Sequence, residues 1–390
     1  MRSPGDELDD LDARHLRRGL RRIDSPQGPR VHIDGRDYLN FSSNDYLGLA
    51  ADERLKAALI EGVARHGAGS GASRLICGTL GPHDELEQCL AAVKGTAAAL
   101  TFSSGYAAAV GTLTALAGKG DVVILDKLCH ASLIDGARLS GATLRIYPHH
   151  DLDRLDSHLC WAVGQVDPAT GRILVVTESV FSMDGDRADL APIVELKERH
   201  GAWLLLDEAH AHGVLGPAGR GLAAELGLAD GRVDLLMGTL SKAVGLSGGY
   251  LCASRPIIDL LINRARSFIY STAPSPAVAH AARHAIEWIA GPLGDERRRS
   301  LWRHVHHLAD RLRLPAHSAI LPLILGDNAT ALAAADDLRQ HGYLIPAIRY
   351  PTVPRGQARL RITLSATHCE ADIEHLAGAL ASRRPPDPAA

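Results

Sequence analysis

The feature that most constrains this chain is a series of short apolar runs separated by helical stretches. The runs are Ala98–Phe102, Val122–Asp126, Thr143–Tyr147, Ile173–Thr177, Trp203–Asp207, Leu235–Thr239 and Tyr250–Ala253. Several are nearly continuous in Val, Ile and Leu and are bounded by Gly, Asp or Ser. A strand with one wet face alternates polar and apolar residues, whereas a continuous run needs cover on both faces, as in a mainly parallel sheet flanked by helices. Helix signals fall between the runs. Leu190–His200 carries Pro192 in its first turn and stops at Gly201, and Pro256–Phe268 follows Ser254. The middle of the chain is therefore α/β, with a mainly parallel seven-stranded sheet.

After about residue 280 the pattern changes to a smaller α+β domain. A helix-rich stretch comes first, then a strand at Ala319–Leu325, a helix over Thr330–His341, paired strands near Leu344–Tyr350 and Arg359–Leu364, and a closing helix at Ala371–Ala381. At the other end, Leu11–Arg22 reads as a basic helical stretch before a hairpin-like Val31–Asn40. The expected organisation is an N-terminal arm (1–45), a large domain (46–280), a small C-terminal domain (281–384) and a frayed Pro-rich tail (385–390).

Composition removes several function classes. A formal net charge of -3 gives no global pull toward nucleic acid or an anionic membrane. The cysteines lie far apart with no CxxC pair, so neither a zinc site nor a secreted disulfide framework is expected, and His304, His306 and His307 read as a polar helix face rather than a metal site. The acidic Met1–Asp12 lacks the apolar stretch of a signal peptide, and no segment has the apolar length of a membrane span. A cytoplasmic protein is the expectation.

Almost all the positive charge is arginine, which does not readily shed a proton, so an amine nucleophile must come from Lys56, Lys94, Lys119, Lys127, Lys197 or Lys242. Two strand ends concentrate the chemistry: Asp207-Glu-Ala-His210, and Thr239-Leu-Ser-Lys242. Open α/β sheets gather ligands at such ends. An aldehyde cofactor such as pyridoxal phosphate needs a lysine for its Schiff base and a carboxylate beside its ring nitrogen, roles that Lys242 and Asp207 suit, with His210 donating toward the phenolic oxygen. Phe102-Ser-Ser-Gly105-Tyr106 opens an Ala-rich helix whose first N–H groups suit a phosphate. His130, after the strand ending at Asp126, is placed to stack on a flat cofactor.

Competing motifs exist. Gly245-Leu-Ser247-Gly-Gly249 formally matches the nucleophile elbow of α/β-hydrolases, although it follows Lys242 rather than a strand. Gly118-Lys-Gly120 lacks the full Walker pattern and Gly69-Ser-Gly-Ala-Ser73 is not G-x-G-x-x-G, so nucleotide binding is unsupported.

Over about residues 15 to 382 the chain resembles the α-oxoamine synthases, pyridoxal-phosphate enzymes of aminotransferase fold type I. Thr239–Gly249 is similar to the family's lysine signature, and Ser42–Leu49, Gly71–Leu75, Thr177–Gly185 and Asp207–His210 fall in the family's order. Within the family, Ala347–Ala366 is most similar to members that condense L-alanine with a pimeloyl thioester to give 8-amino-7-oxononanoate in biotin biosynthesis.

The resemblance implies pyridoxal 5'-phosphate as cofactor, no metal, and Lys242 as the Schiff-base lysine. Asp207 would pair with the ring nitrogen, while His210, Ser182, Thr239 and the backbone of Gly105 and Tyr106 would contact the cofactor. His130 would cover the ring and substrate, and Arg21, Asn44, Thr352 and Arg361 would contact substrate. A homodimer is implied, with Thr272 reaching the neighbouring cofactor phosphate, and with coenzyme A or an acyl-carrier protein bearing the acyl group.

Two positions depart from many relatives: Ala211-His212 brings a second imidazole toward the site, and Tyr350 stands where some have proline. Sibling activities remain open (glycine C-acetyltransferase, 5-aminolevulinate synthase and serine palmitoyltransferase types), as do a hydrolase using Ser247 and a non-catalytic regulatory subunit.

Overall fold

The structure is a computed structural model and describes residues 2–14 and 16–381, so the tail expected over 385–390 lies outside the described residues. Two compact units arise. One comprises 49–182 and 186–299; the other comprises the described residues of 1–48, 183–185 and 300–390.

Near the N terminus, Arg30–Ile33 (β1) and Arg36–Asn40 (β2) form an antiparallel hairpin. Its two-residue turn, Asp34-Gly35, has positive φ at both positions (49° and 77°), the twist a tight hairpin requires and Asp-Gly supplies. The larger unit then lays down Ala98–Phe102 (β3), Val122–Asp126 (β4), Thr143–Tyr147 (β5), Ile173–Glu178 (β6), Trp203–Asp207 (β7), Leu235–Thr239 (β8) and Gly249–Ala253 (β9). They form one seven-stranded sheet, ordered β3-β9-β8-β7-β6-β4-β5, in which only β9 runs against its neighbours. The expected mainly parallel sheet of aminotransferase fold type I is present.

Burial explains why the runs were continuous. Every residue of β3, β4, β6, β8 and β9 is buried, whereas β5, at the sheet edge, exposes Thr143 and Ile146. On one side, Leu100, Val123, Val176, Leu205 and Leu251 pack with Leu113, Leu116 and Leu133 from the helices Gly105–Leu116 and Ala131–Ser140. Each such side chain contributes roughly 1.5–3 kcal/mol of apolar burial. Because β3, β4, β6, β7 and β8 point the same way, their carboxyl ends line a single edge.

The smaller unit holds Ile320–Gly326 (β10), Tyr343–Leu344 (β11), Ala347–Ile348 (β12) and Ala358–Thr363 (β13). The strand expected over Leu344–Tyr350 is in fact two short pieces. Pro346 offers no N–H to a ladder, so β11 pairs in parallel with β2 while β12 pairs antiparallel with β13.

The basic helix expected at Leu11–Arg22 is also displaced. The helix runs from Pro4 to Ala13, started by a capping box in which Ser3 Oγ accepts the Asp6 N–H (3.2 Å) and Asp6 Oδ2 accepts the Ser3 N–H (2.8 Å). Farther on, Arg17 and Arg21, and Arg18 and Arg22, would set like charges four apart around Gly19, and no helix forms there. Among the described residues, no helix is long and apolar enough to cross a membrane.

Candidate active site

At the carboxyl edge, Glu178 closes β6 and Asp207 closes β7, directly opposite each other in the parallel register. Both are buried. Burial pushes the Asp207 carboxyl above its ordinary pKa, opposed by the Lys242 ammonium and by the Ala209 N–H that Asp207 Oδ1 accepts at 2.8 Å. Burial and the Asp207 charge push Glu178 well above its ordinary value, again against Lys242. One ammonium thus offsets only part of the charge of a pair of competing carboxylates.

His130 joins this group from the end of β4. Its backbone N–H donates to the Glu178 carboxylate, and its Nδ1 accepts the Ser132 N–H (3.2 Å), which starts the helix Ala131–Ser140. The side chain is exposed, yet partial desolvation and then the Lys242 charge hold its pKa below the usual imidazole value, although Asp207 pulls the other way. His210 is buried in the turn after Asp207.

Between them, Glu208 serves as an anchor. It is fully buried, accepts from Lys94 Nζ (2.6 Å) and from the Ala223 N–H (3.0 Å), and Lys94 Nζ also donates to the Arg220 carbonyl (2.7 Å). His212 is grouped with this anchor: its buried ring meets Tyr250 edge-on at 5.8 Å, and burial, Lys94 and Arg298 push its pKa well below normal.

A second group forms where β3 ends. Ser104 Oγ accepts the Ala107 N–H (3.1 Å) and caps the helix Gly105–Leu116. A helix start leaves its first N–H groups without intrahelical partners, here those of Gly105 and Tyr106. This start is pressed against the lysine segment. A Cβ on Gly105 would stand 3.5 Å from Thr239 Cβ, and one on Gly249 would come within 2.6 Å of the Gly105 nitrogen. Thr239 Oγ1 donates to the Gly248 carbonyl (2.8 Å) and accepts the Ser241 N–H (3.1 Å), holding the turn that carries Lys242.

The remaining residues of the large unit are more dispersed. Tyr106 is exposed, with its hydroxyl donating to Asp135 Oδ2 (2.8 Å). Ser182 follows β6 beyond Val180, and exposed Thr272 bridges to Ser73. Ser247 lies in the turn leading into antiparallel β9, not between a strand and a following helix, so the hydrolase elbow does not form.

In the smaller unit, Arg361 on β13 is buried and donates to Thr363 Oγ1 (2.8 Å) and Asn44 Oδ1 (3.1 Å). The Tyr46 hydroxyl donates to the same Asn44 oxygen (3.3 Å), and burial pushes Tyr46 up to about 12 against the Arg361 charge. Arg21 and Thr352 line a cavity of about 1050 Å³ with Arg17, Arg18, Arg349 and Tyr350, and Arg18 Nη2 donates to Thr352 Oγ1 (3.3 Å).

A family model, class I and II aminotransferases, matches residues 36–380. The 8-amino-7-oxononanoate synthase of Bordetella petrii is 49% identical over 95% of this chain and 94% of its own length; that of Geobacter sulfurreducens is 46% identical over 97% of each. Among solved structures, Sphingomonas wittichii serine palmitoyltransferase superposes with a TM-score of 0.89 at 34% identity, covering 97% of this chain and 95% of that one. The Francisella tularensis 8-amino-7-oxononanoate synthase gives 0.73 at 28% identity, covering 88% of this chain and 97% of that one.

This chain belongs to the α-oxoamine synthases, within the class I and II aminotransferase family. As an α-oxoamine synthase it uses pyridoxal 5'-phosphate, and the residues present fit that group. An aldehyde, a pyridine nitrogen and a phosphate call for an amine, a buried carboxylate and unpaired N–H groups, and this edge offers Lys242, Asp207 and the start of the helix at Gly105. Glu178 is the member of the cluster that motif reading did not single out, although it sits inside the Thr177–Gly185 motif. The usable signal was positional: two parallel strands ending at one level place their last residues side by side.

Proposed function

We propose that this α-oxoamine synthase condenses L-alanine with a pimeloyl thioester, releasing CO2 and the thiol carrier and forming 8-amino-7-oxononanoate for biotin synthesis in the cytoplasm. The carrier is coenzyme A or an acyl-carrier protein. The observation that carries the reading is identity of 46–49% to 8-amino-7-oxononanoate synthases over nearly the whole of both chains.

Bound pyridoxal phosphate supplies an electrophilic carbon for the amino group and a ring that accepts the electron pair left at Cα. Lys242 would be the residue that holds the cofactor, and its Nζ would serve as the base for the Cα proton of L-alanine. Asp207 would keep a proton on the ring nitrogen; the Lys242 charge and the Ala209 N–H favour its carboxylate form against the cost of burial. The N–H groups of Gly105 and Tyr106 would hold the phosphate, with Thr239, Ser182 and His210 as further contacts. His130 would cover the ring, and partial desolvation holds its imidazole pKa below the usual value. Arg361, oriented by Asn44 and Thr363, clamps the amino-acid carboxylate, while Asn44, Thr352 and Arg21 contact the acyl substrate.

A homodimer is part of this reading, with Thr272 reaching the partner's cofactor phosphate. Its support is an apolar surface beside Thr272: Leu75, Ile76 and Tyr270 are 50%, 79% and 73% exposed. Sedimentation as an active monomer would remove it.

The deciding experiment is a titration of the cofactor-loaded enzyme with L-alanine, glycine and L-serine, read by the visible absorption of the cofactor, followed by assay with pimeloyl thioesters. The reading requires L-alanine to act at the lowest concentration and 8-amino-7-oxononanoate to form. A preference for L-serine would shift the product to that of the serine palmitoyltransferase type. Replacing Lys242 by Ala should stop turnover in a folded protein.

A further inference from the structure

Outside that machinery, the larger unit holds an alternating chain of acids and imidazoles: Asp126, His149, Asp186, His150 and Asp189. His149 Nδ1 lies 2.9 Å from Asp126 Oδ2, and its Nε2 lies 2.6 Å from Asp186 Oδ2. His150 repeats the pattern, with Nδ1 2.8 Å from Asp189 Oδ2 and Nε2 2.9 Å from the same Asp186 oxygen. The two imidazoles and the Asp186 carboxylate thus converge, with one ligand atom of each within 4.8 Å of the others. Asp186 Oδ1 is buried and has no hydrogen-bond partner among the described residues.

We propose that His149 Nε2, His150 Nε2 and the Asp186 carboxylate form a binding site for a divalent transition ion of the zinc class. Zinc takes imidazole nitrogen and carboxylate oxygen in tetrahedral sites, and a three-residue set leaves the fourth position to water. A ligating imidazole characteristically donates its other N–H to a carboxylate, which fixes tautomer and ring orientation. Both rings already have that partner, Asp126 behind His149 and Asp189 behind His150. The charge also fits, since three carboxylates attract a dication, which takes the place of the proton that Asp126 and Asp186 hold on His149.

The backbone is set for the convergence. His150 adopts φ 62°, a region that residues other than glycine seldom occupy, and its ring lies 4.0 Å from that of His149. His149 is held edge-on against Phe181 at 4.2 Å. Ligands around one tetrahedral zinc stand roughly 3.3 Å apart, so the separations of 2.6 and 2.9 Å from Asp186 Oδ2 must open by about 0.7 and 0.4 Å. The His150 side chain, 40% exposed, has room to move. Asp126 also accepts the Leu128 N–H (2.8 Å), so a bound ion would brace the segment between β4 and His130.

The test is calorimetric titration of the chelator-treated, cofactor-loaded enzyme with Zn2+, and with Mg2+ as an oxygen-preferring control. The expected result is one Zn2+ per chain, no comparable Mg2+ binding, and affinity weakened at least about tenfold in Asp189→Asn, which removes only the carboxylate behind His150. His150→Asn should abolish the site while leaving the zinc-free melting temperature near that of the parent. No zinc binding at micromolar concentration would overturn the proposal. So would binding unchanged in His150→Asn, which would place the ion elsewhere, for example at Asp156, Cys160 and His200.

Discussion

Glu178 and Asp207 face each other across the parallel pair β6 and β7, so that two buried carboxylates lean on the single ammonium of Lys242. Both bind their protons more tightly in the folded chain than in the unfolded one. A carboxyl raised in this way lowers stability as pH climbs from the ordinary carboxylate range through the raised folded value. Glu178→Gln removes one of the two titrations. The urea midpoint of the cofactor-free variant should therefore fall less between pH 5 and pH 8 than that of the parent. Where Glu178 is ionised, the variant also exchanges the charge-assisted bond from the His130 N–H for a neutral one, a cost of roughly 1 kcal/mol. An equal or steeper pH slope in the variant would contradict the coupling.

The Lys94–Glu208 pair makes a different prediction, because both side chains are essentially inaccessible (1% and 0%). Lys94→Met leaves a buried carboxylate whose remaining donor among the described residues is the Ala223 N–H. Breaking such a pair from one side costs about 3–5 kcal/mol. Urea unfolding at neutral pH should show a loss of that size, and Lys94→Met/Glu208→Gln should recover part of it. A loss below about 1 kcal/mol, the level of an exposed pair, would mean that water reaches Glu208.

Such pairs mark where reading the chain alone ran out. Each of the seven sheet strands was legible because a strand covered on both faces has few polar residues, and the observed ends differ from the expected ones by at most one residue. Asp207, Lys242 and His130 were recognisable because strand ends collect polar groups. Glu178 was not, since a terminal glutamate on an apolar strand looks like a solvated end until the register sets it beside Asp207. Lys94 and Glu208 lie 114 positions apart, and nothing local in either segment announces the other. At the N terminus the basic stretch Leu11–Arg22 is not the helix, because the capping box at Ser3 and the repulsion among the arginines decide where the helix forms.

Arg361 presents its guanidinium in a fixed orientation, held by Asn44 and Thr363. Lysine keeps the charge but not the planar fork that grips a carboxylate with two parallel bonds. Arg361→Lys should raise the KM for L-alanine by roughly 10- to 100-fold, the equivalent of one charge-assisted bond of about 1.5–3 kcal/mol. The absorption of the resting enzyme should stay unchanged. An unaltered KM would detach Arg361 from amino-acid binding and leave it a role in the Asn44–Tyr46 network.

Gly249 tests whether the helix start at Gly105 holds a phosphate. A Cβ there would fall 2.4 Å from the Ser104 carbonyl oxygen and 2.6 Å from the Gly105 nitrogen, and both neighbours are backbone. Neither can swing aside as a flexible side chain would, so Gly249→Ala must push the helix start away from Thr239. Displaced N–H groups lose their aim at the phosphate, while the rest of the binding residues stay in place. Cofactor affinity should fall roughly 10- to 100-fold, the equivalent of about 1.4–2.8 kcal/mol. The discriminating comparison is pyridoxal, which lacks the phosphate: its binding should change far less, so the preference for the phosphorylated form should narrow. Gly118→Ala is the matched control, because a Cβ there has only an Asp121 oxygen at 4.0 Å. If Gly249→Ala weakened both ligands equally, the helix start would be a packing element and the phosphate would have to be held elsewhere.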